Sequence, residues 1–120
     1  MNTGHLWVVD AFECDPGRLR SREVLDGILR AVVVDLGLCP VAPARWHVFP
    51  EPGGLTGYLL LSESHLAVHT YPESGFAAFD LYCCRDRADW PWRERLTEAL
   101  DAREVVVTGV ARGISRAVVR

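Results

Sequence analysis

An α+β domain is predicted for this chain of 120 residues, with helices on one face of a largely antiparallel sheet. Three observations carry that prediction. Short apolar runs of strand length alternate with polar residues, and one apolar stripe recurs at helical spacing. The order reads strand, helix, four strands, helix, strand. The length suits one domain spanning residues 1–120, with a single core and little more.

The first strand covers residues 6–12. Asp15-Pro16 reads as the start of a helix, Asp as the cap and Pro at the first helical position. Leu25, Ile28, Leu29, Val32 and Leu36 follow as one stripe, with Gly37 as the stop and Pro40 and Pro43 in the loop beyond. Strands are expected at residues 45–49, 57–61, 65–70 and 76–84, punctuated by Gly53-Gly54 and by the stretch from Pro72 to Gly75. A second helix begins near Trp90-Pro91 and turns Leu96, Ala99 and Leu100 inward. A last strand covers residues 105–108, and the arginine-bearing tail after Gly113 reads as a loose end. Two helices cover only one face of such a sheet. The other face mixes aromatics with His, Asp and Cys, which suits a functional or dimer face better than a wet surface.

Composition excludes several classes. All 13 cationic residues are Arg, against 16 acidic ones, for a net charge of −3. Without lysine there is no Schiff-base anchor for pyridoxal phosphate, no lysine aldolase chemistry and no P-loop lysine. Mild acidity argues against nucleic acid as a partner. No apolar run is long enough to span a membrane, and no basic-then-apolar leader precedes the first strand, so a cytoplasmic location is expected. Cys14, Cys39, Cys83 and Cys84 do not read as a disulfide framework. With His5, His47, His65 and His69 they offer no zinc-ligand spacing either, so no metal is expected.

The stretch SESHLAVHTYPESGFAAFDLYCC, residues 62–84, holds the chemistry. A turn centred on Ser74 sets Ser64 opposite Cys84, and a turn at Ser62-Glu63 sets Thr56 opposite His69. Two hydroxyls, a thiol and an imidazole are then expected at one end of the sheet, although a one-residue slip would reverse the faces. Each has a plainer role: Ser64 and Glu73 as turn residues, Cys84 as a small buried side chain, Phe49 and Tyr71 as core or edge aromatics. A Ser64–His69–Asp80 hydrolase triad lacks the Gly-x-Ser-x-Gly elbow.

The same stretch, with HLWVVDAFECD near the N-terminus, resembles the self-processing segment of the bacterial and archaeal S-adenosylmethionine decarboxylase proenzymes. The likeness runs through nearly the whole chain. It implies a two-layer α/β sandwich whose protomers pack sheet to sheet into a four-layer homodimer, with sites at the interface. It also implies cleavage at Glu63–Ser64 into chains of residues 1–63 and 64–120. In that chemistry the Ser64 hydroxyl attacks the Glu63 carbonyl, and the resulting ester is eliminated to leave a pyruvoyl group. His69 would assist processing and Thr56 would aid the ester intermediate. The pyruvoyl ketone would replace pyridoxal phosphate, condensing with the amine of S-adenosylmethionine to yield the decarboxylated product used in polyamine (spermidine) synthesis. Cys84 matches the acid that reprotonates the substrate carbon, and a thiol's ordinary pKa of about 8.5 suits that task. Phe49 and Tyr71 match adenine-holding rings, Glu73 the ribose-binding carboxylate, and Leu66 a neighbour of that pocket.

Five departures stand out: Tyr71 where Trp is common, Ser74 for an aromatic, Arg85 for Gly, the extra thiol of Cys83, and a longer loop bringing in Glu51. They fall on the substrate side. Relatives of this fold decarboxylate arginine or ornithine, and Glu51 is a suitable partner for a terminal guanidinium or amine. The remaining alternative is an unprocessed regulatory homologue, which the intact Ser64, His69 and Cys84 disfavour.

Overall fold

The computed structural model describes residues 4–84 and 87–113. The expected tail after Gly113, and Arg85, lie outside that range. Six strands form one sheet: β1 (Gly4–Phe12), β2 (Arg45–Val48), β3 (Leu55–Leu61), β4 (Ser64–Tyr71), β5 (Phe76–Cys83) and β6 (Glu104–Arg112). Their spatial order is β2-β3-β4-β5-β1-β6, and every neighbouring pair is antiparallel. The predicted α+β class is the observed one.

The expected single helix after Asp15 is two. Asp15 caps only α1 (Pro16–Leu19), accepting a bond from the Arg18 N–H at 3.0 Å. Ser21 then takes an extended backbone and accepts from the Val24 N–H at 3.2 Å, starting α2 (Arg22–Leu36). Ser21 offers the same capping oxygen as Asp15, and its side chain competes with helix continuation. Gly37 closes α2 in the left-handed conformation, as its position predicts. α3 (Trp92–Leu100) is the last helix among the described residues. β6 is longer than expected, and β5 stops one residue short of Cys84.

Alternation along the strands separates the two faces. Trp7, Val9 and Ala11 of β1, Leu66 and Val68 of β4, and Ala77, Phe79 and Leu81 of β5 are buried with Leu25, Ile28, Leu29 and Val32 of α2. Leu96, Leu100 and Trp92 of α3 join the same core, and Phe79 is its largest fully buried side chain. Each Val, Leu, Ile or Phe among them contributes about 1.5–3 kcal/mol by leaving water. Among the described residues, no helix covers the opposite face. On it Tyr58, Leu60, Val106 and Val110 are each at least 40% exposed.

Cys14 lies under this core edge, 4% exposed. Burial, and secondarily the Asp101 carboxylate, push its thiol up to about 11 from 9.0. Between those values the folded chain keeps a proton that the unfolded chain has lost. Stability is therefore expected to fall as pH rises from 9 to 11, by roughly 2 kcal/mol. With no lysine in the chain, buried thiols contribute to that fall, Cys83 as well as Cys14, so Cys14→Ala should reduce the change in urea midpoint across this window without abolishing it.

Candidate active site

β3 and β4 are joined by a turn of two residues, Ser62-Glu63, so the Glu63–Ser64 bond lies where the turn enters β4. The turn is pinned from both sides. The Ser62 N–H donates to the Cys39 carbonyl at 2.8 Å, and the Cys84 N–H donates to the Glu63 carbonyl at 3.2 Å. The second bond polarises the carbonyl of the bond expected to break, and its N–H is in place to hold negative charge developing on that oxygen.

Ser64 faces Cys83, not Cys84. Symmetry about Ser74 predicted the other register. The actual loop is the four residues from Pro72 to Gly75, a single 3₁₀ turn closed by Gly75 at φ 64, so Tyr71 and Phe76 form the last pair. That shifts every pair by one and exchanges the faces. Cys83 is buried on the helix side, where burial pushes its thiol up against the opposing effects of Arg87 and a hydrogen bond with Ser64. Cys84 is exposed, one residue beyond β5.

Thr56 does face His69, with Oγ1 3.4 Å from Nδ1. This pair is not at the Ser64 end of the sheet. Five residues along β4 separate Ser64 from His69, about 17 Å of strand. The expected meeting of all four groups does not occur within one chain: alternation also puts Ser64 on the helix side and His69 on the bare face.

At the His69 end is a cavity of about 400 Å3, within the range of small-ligand sites. Phe49, Glu51, Thr56, His69, Tyr71 and Glu73 line it. Phe49 is edge-on to His47 at 4.5 Å, and Tyr71 stacks on Phe76 at 5.6 Å. Both rings keep more than two-fifths of their surface exposed, so they retain faces for a planar ligand. Leu66 is a correction. It is fully buried among the core side chains on the helix side and does not line this cavity, because even-numbered residues of β4 point toward the helices.

The residues missed by the sequence reading hold the cavity. Thr70, 4% exposed, is the buried polar residue among those described. It donates to the Leu19 carbonyl at 2.8 Å and accepts from the Leu55 N–H at 2.9 Å. A threonine at an inward-facing strand position was the available signal. Among the described residues, no three His, Cys, Asp or Glu side chains gather to hold a metal.

Comparison with known proteins agrees with this architecture. Residues 5–113 match the family model for S-adenosylmethionine decarboxylase. The S-adenosylmethionine decarboxylase proenzyme of Caldicellulosiruptor saccharolyticus is 36% identical over 109 residues, covering 89% of this chain and 86% of that protein. The proenzyme of Clostridium tetani is 34% identical over 114 residues, 94% of this chain and 89% of that one. The crystal structure of the adenosylmethionine decarboxylase from Aquifex aeolicus superposes with a TM-score of 0.78 at 26% identity, covering 96% of this chain and 94% of that one. On the family match, on relatives aligned over most of their length and on the shared fold, this chain belongs to the S-adenosylmethionine decarboxylase family.

Proposed function

We propose that this chain is a self-processing decarboxylase acting on S-adenosylmethionine, with each site completed by a second copy of the chain. The observation that carries the reading is the Glu63–Ser64 bond at a two-residue turn, its carbonyl held by the Cys84 N–H. Attack of Ser64 Oγ on the Glu63 carbonyl carbon closes a five-membered ring within one chain, which avoids the entropy of bringing two reactants together. Collapse of the ring breaks the C–N bond and leaves an ester, with the nitrogen taking a proton. Removal of the Ser64 α-proton then expels the Glu63 carboxylate. The dehydroalanine left behind gains water and loses ammonia, leaving residues 1–63 and a second chain that begins with a pyruvoyl group at position 64.

The residues present fit that group. Ser64 opens a strand bonded on both sides, and no lysine in the chain offers a rival carbonyl partner. The pyruvoyl ketone supplies the electron sink for loss of CO2. Cys84 Sγ returns a proton to the substrate carbon. In the cavity Phe49 and Tyr71 hold the adenine between ring faces, and the Glu73 carboxylate accepts hydrogen bonds from the ribose hydroxyls.

A second copy is needed because His69 and Thr56 are about 17 Å of strand away from Ser64 in their own chain. Packing two bare sheet faces antiparallel about a two-fold axis brings the His69 end of one over the Glu63–Ser64 turn of the other, where His69 would reach the turn from the face opposite the Ser64 side chain. Tyr58, Leu60, Val106 and Val110 supply the apolar surface such a homodimer would cover. The product feeds polyamine synthesis, and the soluble substrate is consistent with a cytoplasmic enzyme.

A second reading, arginine or ornithine as substrate, is favoured by one observation: Glu51 lines the same cavity as Glu73, giving two carboxylates where a cationic side chain would end. The deciding experiment compares CO2 release from S-adenosylmethionine, arginine and ornithine by the purified protein. Preference for S-adenosylmethionine, lost with Glu73→Gln, is the expected result. Preference for either free amino acid would replace it with the second reading.

A further inference from the structure

The substrate cavity has two walls, and both are tied to one point in the helix layer. The first wall is the turn from Pro50 to Gly53, which carries Glu51, together with Phe49 just before it. It is closed by the Gly53 N–H donating to the Pro50 carbonyl at 2.8 Å and by the Phe49 N–H donating to the Gly54 carbonyl at 2.9 Å. The second wall is the end of β4, carrying His69 and Tyr71, with Glu73 just beyond. The two walls touch where Gly54 passes β4: a Cβ there would lie 2.5 Å from the Thr70 carbonyl oxygen.

The break between α1 and α2 reaches both walls. Leu19 ends α1, so its carbonyl has no helical partner, and it accepts the Thr70 hydroxyl bond at 2.8 Å. The next residue, Arg20, donates from Nε to the Pro52 carbonyl at 2.9 Å. Its methylenes run along the turn, Cδ lying 3.4 Å from where a Gly53 side chain would begin. Gly53 has φ +85, which favours glycine and leaves that side of the turn open to Arg20. The helix break thus points two consecutive residues at the two sides of the cavity.

We propose that Arg20 is a positioning residue for the substrate: through Pro52 it fixes Phe49 and Glu51 against Tyr71 and Glu73. The inference rests on the reading that this cavity takes the nucleoside end of the substrate. Arg20 is itself exposed and does not line the cavity, so its effect passes through the turn. Its bond goes to the Pro52 carbonyl and to neither Thr56 nor His69, the groups this end of the sheet would present to the second copy's Glu63–Ser64 turn, so it should leave self-cleavage and the chemical step alone.

The test uses the purified, processed enzyme with Arg20→Ala, Arg20→Lys and, as a cavity control, Phe49→Ala. With Arg20→Ala the KM for S-adenosylmethionine is expected to rise about tenfold with kcat held within about twofold, the signature of lost uniform binding. Arg20→Lys, which keeps a cationic donor of similar reach, should recover most of that rise, and both variants should be fully cleaved with an unchanged Tm. An unchanged KM in Arg20→Ala overturns the proposal. So does a fall in kcat and Tm together that Arg20→Lys fails to restore, which would mark a general structural role. If Phe49→Ala raises KM while Arg20→Ala does not, the positioning role alone is wrong. If neither moves KM, the reading of the cavity falls with it.

Discussion

Replacing Ser64 by Ala should leave the chain intact and inactive. The expected sample is one species of 120 residues by intact-mass measurement, where the wild type is expected to give two fragments parted after Glu63. The loss of activity should be at least about 10³-fold, because the change removes the Oγ that would attack Glu63 and then depart with its carboxylate, and without that departure no dehydroalanine, and so no pyruvoyl group, would form. The fold should survive, since Ser64 is only half-buried at a strand end and β4 remains paired on both sides. Cys84→Ala is the informative companion. Its backbone N–H still donates to the Glu63 carbonyl, so cleavage should proceed while turnover drops. A wild-type protein that is fully active as one uncut chain would remove the self-processing mechanism altogether.

The second large effect concerns which chain supplies His69. Alone, His69→Ala and Ser64→Ala chains should each remain uncut. Coexpressed, they should form some mixed dimers in which the intact Glu63–Ser64 turn of one chain lies against the intact His69 of the other. About half of the His69→Ala chains should then be cleaved, as expected for random pairing in equal amounts. A site contained within one chain predicts no cleavage in the mixture, since neither chain holds both groups. The physical basis is the spacing along β4: strand geometry keeps residues five apart at about 17 Å and on opposite faces, and no side-chain rotation closes that gap.

Much of the fold was legible in the residues. The stripe from Leu25 to Val32, the Gly37 stop and the alternation of β4 and β5 each express a local rule, and the core contains those side chains. The split at Ser21 was legible too, but a second capping residue six positions after Asp15 was overshadowed by the continuing apolar stripe. The site was legible in part. Thr56 and His69 pair as the two-residue turn at Ser62-Glu63 requires. The pairing of Ser64 was misplaced by one because the loop from Pro72 to Gly75 could hold an odd or even number of residues, and only its backbone path decides which.

By itself, then, the sequence determined the α+β class, the order of its strands along the chain, the inward stripes, and the absence of any lysine to anchor an external carbonyl cofactor. It also determined that a Glu-Ser bond follows an apolar strand of this kind. Only the tertiary structure decided that Ser64 faces Cys83, that Leu66 belongs to the core, and that Thr56 and His69 line a cavity away from Ser64. The reason is one of range. Periodicity and caps depend on neighbours within a few residues, whereas register and cavities depend on segments far apart in the chain. Arg20 meeting Pro52 and Leu19 meeting Thr70 are contacts of that second kind, set by how the helix layer lies on the sheet.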